Sequence, residues 1–225
     1  MLEHIPAWLG HAMSGLRAGA DKLAIAQLGT SFETLDLNSP AFAHEARMPP
    51  RFTADGEGVS PPLVWNAPPA GTAHMVLIVE DADAPTPQPL VHAIIWGLDA
   101  DAGRLPEGAI VADGAGDAAG AESAGSDVGR NSYLREGWLP PDPPSGHGEH
   151  RYAFQLFAVD AGAGAVGETP GRSAVIDAIS GHVLAAGLLI GTYSRETEAP
   201  VGPVGRDCVG VTRRADVRPA PRRYA

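Results

Sequence analysis

Cysteine is almost absent: Cys208 is the one such residue in 225. A lone thiol cannot close an intramolecular disulfide, and it removes any cysteine-based zinc site. Long apolar runs are missing too, and none reaches the length of a membrane span. Met1-Leu2-Glu3-His4 offers no positive leader region, and His11, Ser14 and Arg17 interrupt what would be its apolar core, so no signal peptide is expected. These absences imply a cytoplasmic protein. Several fingerprints are also lacking. There is no Gly-x-Ser-x-Gly elbow, no Gly-x-x-x-x-Gly-Lys phosphate loop and no dinucleotide-binding motif, so neither a serine hydrolase nor any cofactor is expected. No internal repeat is evident.

Positive charge is scarce in the body. The net charge is −11, yet residues 195–225 hold seven Arg against four acids, about +3, which leaves −14 for residues 1–194. An acidic body argues against a nucleic-acid surface. The Pro- and Arg-rich tail reads as a solvated, flexible end, the alternative being contact with an anionic partner.

What is abundant is glycine and proline, 49 residues together, alongside an ordinary 44% of hydrophobic residues. That combination favours a turn-rich fold around a real core over a helical bundle. Residues 5–24 have helical spacing through Ile5, Trp8, Leu9, Ala12, Met13, Leu16, Ala20 and Leu23, with Gly15 and Gly19 as interruptions. This segment would lie on its own domain or support a homodimer. Phe32 to Leu37 suggests a short strand, as does Leu63-Val64-Trp65. Met75–Val79 and Val91–Leu98 are apolar runs that read as strands buried on both faces. Residues 112–129, mostly Ala, Gly, Ser and Asp, read as a surface loop. His150–Asp160 alternates as a strand. Thr169-Pro170 looks like a helix start, with Gly187 as its end, and Leu188–Tyr193 as a last strand. No long helices separate the central strands, so the expected fold is mainly β: a Greek-key-like antiparallel body with peripheral helices.

Three strand ends bring polar groups. Asp81 and Asp83 follow a buried strand and, in extended chain, would point the same way, although Asp is common in turns for its own backbone contacts. His92 lies inside an apolar run, and His150 and Tyr152 share a face. Each alone reads first as a structural residue. The set, beside a loop stiffened by Pro143, Pro144 and Gly146, suggests a pocket with an imidazole and a phenol able to donate to an anion. His147 and His150 with His92 and an Asp could instead ligate a metal for hydrolysis, but a loop gives their spacing little geometric meaning.

Asp81-Ala82-Asp83-Ala84-Pro85, His92, and Pro143-Pro144-Ser145-Gly146-His147-Gly148-Glu149-His150-Arg151-Tyr152 resemble the two signatures of the phosphatidylethanolamine-binding proteins. Ser60–Trp65 and Gly191-Thr192-Tyr193 are similar to its bacterial branch of Raf-kinase-inhibitor-like proteins. The resemblance spans about residues 32–194. It implies a large antiparallel sheet packed on a smaller one. It also implies a ligand-binding rather than catalytic role: a pocket for a small anionic or phosphorylated ligand built from Asp81, Asp83, His92, Pro144, His150 and Tyr152, with no metal. A regulator of a kinase or peptidase acting through the same rim is the alternative. In this reading the aspartates hold both His92 and His150 protonated, and His147 sits at the rim. Ala82 replaces a common proline, which implies a looser turn, and Leu90 replaces a common aromatic. The domain organisation that follows is a helical extension at 1–30, the binding domain at 31–194 and the basic tail at 195–225.

Overall fold

The computed structural model describes residues 6–29, 31–111 and 127–195. Ten strands run β1 (Glu33–Thr34), β2 (Leu37–Asn38), β3 (Ala46–Arg47), β4 (Leu63–Trp65), β5 (His74–Asp81), β6 (Leu90–Leu98), β7 (Gly103–Leu105), β8 (Asp127–Val128), β9 (His150–Val159) and β10 (Val183–Tyr193). Among the described residues the α-helices are α1 (Ala7–Met13), α2 (Ala24–Leu28) and α3 (Arg172–Ile179).

The large sheet has the order β1-β10-β9-β5-β6-β8, and β3 also pairs with β10. Its long strands β10, β9, β5 and β6 are antiparallel, whereas the two-residue strands β1 and β3 join β10 in parallel. The smaller sheet is β2-β4-β7. After the β5–β6 hairpin the chain returns through a long connection to lay β9 beside β5, a Greek-key-like return.

Alternation along β5 explains the layering. Met75, Leu77 and Val79 enter a core shared with Leu37, Leu63 and Leu105 of the small sheet. Val76 and Ile78 face the other way, into a core closed by Ala24 of α2 and by Val175 and Ile179 of α3. The strand is thus buried on both faces, as its unbroken apolar run predicts.

Three sequence expectations change. The N-terminal segment is not one helix. It breaks after Met13, and Gly19 takes φ 103°, a conformation that costs glycine little. The break lets the Ala18 and Gly19 amides donate to the Ala84 and Ala82 carbonyls, tying the segment to the end of β5. Helix α3 begins at Arg172 with Gly171 as a cap lacking a side-chain bond, so Thr169 is not its cap. It ends at Ile179 rather than at Gly187, because Gly181 turns the chain at φ 81° and the ladder with β9 claims residues from Val183 on. The Phe32–Leu37 strand splits into β1 and β2, which serve different sheets. Residues 112–126 of the expected loop, and the tail beyond Arg195, lie outside the described residues.

Candidate functional site

The ends of β5, β6 and β9 meet at a cavity of about 590 Å³, with the 131–144 connection as its outer wall. Its position is set by an irregularity. Val79 pairs with Ala93 and Glu80 with Val91, so His92 is the extra residue of a β-bulge. A bulge re-aims the side chain of the residue it inserts. His92 then holds the outer wall from two directions. Its carbonyl accepts from the Leu139 N–H at 2.8 Å, and its Nδ1 donates to the Leu139 carbonyl at 2.6 Å. A carbonyl only accepts, so Nδ1 carries the proton, and in the neutral ring Nε2 is an acceptor.

Four of the six expected residues, Asp81, His92, Pro144 and His150, line the cavity. Tyr152 lies behind them, fully buried, with its ring 5.1 Å from His92 in an edge-on contact and 6.4 Å from His150. Asp83 does not face the cavity. Its backbone N–H donates to Asp81 Oδ1 at 2.8 Å, and this tight turn ends the extended geometry that would have aligned the two carboxylates. Asp83 instead accepts from the Arg151 guanidinium at 2.7 and 2.8 Å and from the Arg151 amide at 2.9 Å, and pairs with Arg17 at 2.8 Å. Burial alone would raise its pKa; the hydrogen bonds of Arg151 and Arg17 outweigh that and lower it to about 2. Nor is the turn loose. The Ala82 N–H donates to the Arg151 carbonyl at 3.0 Å, a bond proline could not make.

The histidines also differ from expectation. Burial pushes the His92 pKa down, with Asp81 and Asp142 only partly opposing it, so the aspartates do not keep this ring protonated. Both nitrogens of His150 are occupied, Nδ1 by Asp81 Oδ2 and Nε2 by His147 Nδ1, each at 2.7 Å. His147 is no rim residue: it is buried, and its Nε2 bonds to the carbonyls of Met13 and Leu16. With its nitrogens spent on protein partners, it is not placed to share a metal with His92 and His150. Among the described residues no group of three or more His, Cys, Asp or Glu side chains could hold a metal ion.

Three buried polar atoms around the cavity have no hydrogen-bond partner: His92 Nε2, Tyr152 OH and Trp138 Nε1. Unmet buried polar groups are rare and costly. Trp138 was not among the expected pocket residues; its one signal was a large aromatic opening the Pro-rich lead-in, where loops favour small polar residues. It stacks on Phe154 and stands 6.2 Å from His92. Arg195 was assigned to the tail. Its side chain is nearly buried, bonding Asp55, Asp142 and the Pro143 carbonyl, and so braces the wall that carries Pro144. That wall also contributes Arg135 and Asp142 to the lining.

Among the described residues no helix is long and apolar enough to cross a membrane. The chain is 38% identical over 163 residues to a UPF0098 protein of Methanothermobacter thermautotrophicus, covering 72% of this chain and 99% of that protein. It is 35% identical over 165 residues to LppC of Mycobacterium tuberculosis, a relative named as a lipoprotein, covering 72% and 73%. The crystal structure of a phosphatidylethanolamine-binding protein homologue, CT736 of Chlamydia trachomatis, is similar at a TM-score of 0.61 and 28% identity, over 73% of this chain and 99% of that one. The sequence profile described as phosphatidylethanolamine-binding protein matches residues 38–194. The match takes in both signature segments and all three strand ends of the cavity, and the chain therefore belongs to the phosphatidylethanolamine-binding protein family.

Proposed function

We propose that the protein binds, without transforming it, a small anionic or phosphorylated ligand in the cavity between β5, β6 and β9. The observation that carries this is the trio of unpartnered buried atoms, His92 Nε2, Trp138 Nε1 and Tyr152 OH. Trp138 Nε1 can only donate, Tyr152 OH can do either, and neutral His92 Nε2 accepts. A monoprotonated phosphate group supplies both kinds of partner, since its oxygens accept and its hydroxyl donates. A group without a proton needs His92 to take one up first. A non-catalytic role fits the occupied nitrogens of His150, which leave the buried acid–base pair closed to a substrate.

The test is a titration of the full chain with inorganic phosphate, followed by nuclear magnetic resonance. Shifts at the Trp138 indole N–H and the His92 ring are expected. Saturation with no change at either group would overturn the reading. A cytoplasmic location belongs to the same proposal, and recovery of the protein in a lipidated membrane fraction would refute it.

A second reading has one observation of its own. Tyr133 at the cavity lining is 42% exposed, and the adjoining Leu134 is 78% exposed at φ 60°. A large apolar residue held out beside the mouth suits a kinase- or peptidase-regulating contact. Leu134→Asp would weaken such a partner contact and leave phosphate binding intact.

A further inference from the structure

Three hydrogen bonds run in series behind the cavity wall. Asp81 Oδ2 meets His150 Nδ1 at 2.7 Å, His150 Nε2 meets His147 Nδ1 at 2.7 Å, and His147 Nε2 meets the carbonyls of Met13 and Leu16 at 2.9 and 3.1 Å. The carbonyls can only accept, so His147 Nε2 must carry a proton. Each of the three links needs one proton. Two neutral imidazoles supply two, and a carboxylate supplies none. The third proton makes one ring an imidazolium opposite the Asp81 carboxylate. His150, which touches Asp81, is the better host. His147 is disfavoured by its burial and by the neighbouring His150 and Arg17, which lower its pKa.

The two carbonyls belong to a segment outside the matched residues 38–194. That segment interlocks with the loop. A Cβ on Gly10 would stand 1.9 Å from the Ser145 carbonyl oxygen, and one on Gly146, at φ 81°, would stand 2.5 Å from the Ala7 carbonyl oxygen. Arg17 donates to the Glu149 carbonyl at 2.8 Å while pairing with Asp83. We infer that the N-terminal segment is a built part of the ligand site: its Met13 and Leu16 carbonyls fix His147 as a hydrogen-bond acceptor, and His147 thereby holds His150 as an imidazolium in the cavity wall.

His147 is in these terms a positioning residue. Its effect on a ligand is exerted through a fixed positive charge, because His150 has no nitrogen left to donate. Around this charge stand Asp81 on β5, His92 on β6, Asp142 on the outer wall and Tyr152 on β9, with Arg17 beyond His147. Asp81 balances it, and the neighbouring His92 finds it harder to protonate, in keeping with the repulsion between the two rings. The consequence for affinity rests on the anion-binding reading; the proton count does not.

The experiment is long-range proton–nitrogen spectroscopy of the histidine rings in the full-length 15N-labelled chain at pH 7.5, without ligand. Two ring protons are expected on His150. His147→Leu removes the acceptor and reduces them to one. His147→Asn, whose side-chain carbonyl accepts, restores two. Gly10→Val lifts α1 off the loop and lets His147 reverse its tautomer, again leaving one. Should Gly10→Val fail to fold, the His147 pair gives the same reading by itself. One ring proton on His150 in the wild type, or two in His147→Leu, overturns the inference. In parallel, inorganic phosphate should bind His147→Leu about 10-fold more weakly than wild type. Two ring protons on His150 with no phosphate binding at all would uphold the inference and refute the anion-binding reading.

Discussion

His92 and Leu139 are joined by a reciprocal pair of hydrogen bonds, ring to carbonyl at 2.6 Å and amide to carbonyl at 2.8 Å. The pair fixes the tautomer of His92 and ties a bulge in β6 to the outer wall of the cavity. It leaves Nε2 as the one free position of the ring, and the protonation of that atom decides which ligands it accepts.

Sulfate, which brings no proton, should therefore bind with proton uptake. The His92 pKa lies below 6.5 in the folded chain because of burial, so this ring holds fewer protons in the folded state than in the unfolded one as pH falls under 6.5. The His92 contribution to unliganded stability declines in that direction, and those of His74 and His147, lowered mainly by burial as well, have the same sign. An anion that favours the protonated ring reverses the His92 part. Melting curves from pH 7.5 to 5.5 should show a sulfate-induced rise in Tm that grows as pH drops, and His92→Phe should remove that growth. An equal rise at every pH in the wild type would refute it.

Tyr152→Phe separates stability from binding. The hydroxyl is buried without a partner, so deleting it relieves an unmet polar group. Stability should stay level or increase by up to about 1 kcal/mol in urea titrations. Phosphate affinity, read by calorimetry, should fall several-fold. A loss of stability would mean that the hydroxyl has a partner in solution.

Asp83 acts as an acid-sensitive strut. Its folded pKa is lowered from 3.8 to about 2, so its contribution is complete above the unfolded value and disappears as pH falls through the folded one. Both guanidinium groups are partly solvated, which limits the contribution to about 1–2 kcal/mol. Asp83→Asn should lose that amount at pH 7 in denaturant unfolding, and its difference from wild type should shrink between pH 4 and pH 2. A difference that is constant with pH would assign the role to packing instead.

Glu80 is completely buried. It accepts from the Ala24 amide and Gln155 Nε2, each at 2.8 Å, and forms an ion pair with Arg172. It thus fastens both α2 and the start of α3 to β5. Arg172→Met strands the carboxylate and should cost about 3–5 kcal/mol in chemical denaturation. Adding Glu80→Gln should recover part of the loss, since the unpaired charge is then gone. No recovery would show that Arg172 stabilises by packing alone.

Sequence determined the layers and part of the cavity lining. The apolar runs at Met75–Val79 and Val91–Leu98 read as strands buried on both faces, and the Pro143–Tyr152 stretch could be matched to a family by residue type and order. These features are local, written as period and composition. What tertiary structure decided depends on partners distant in the chain. Asp83 turned from the cavity because a two-residue turn at Asp81 delivered it to Arg151 and Arg17. His92 was re-aimed by a bulge that exists only through its pairing with β5. Trp138 became part of the wall, stacked on Phe154, and Arg195 a brace behind it through Asp55 and Asp142. His147 moved from rim to buried acceptor because two carbonyls, more than 130 residues away, had already used its other nitrogen. A residue's type says which bonds it can make; the fold decides which of them are already taken.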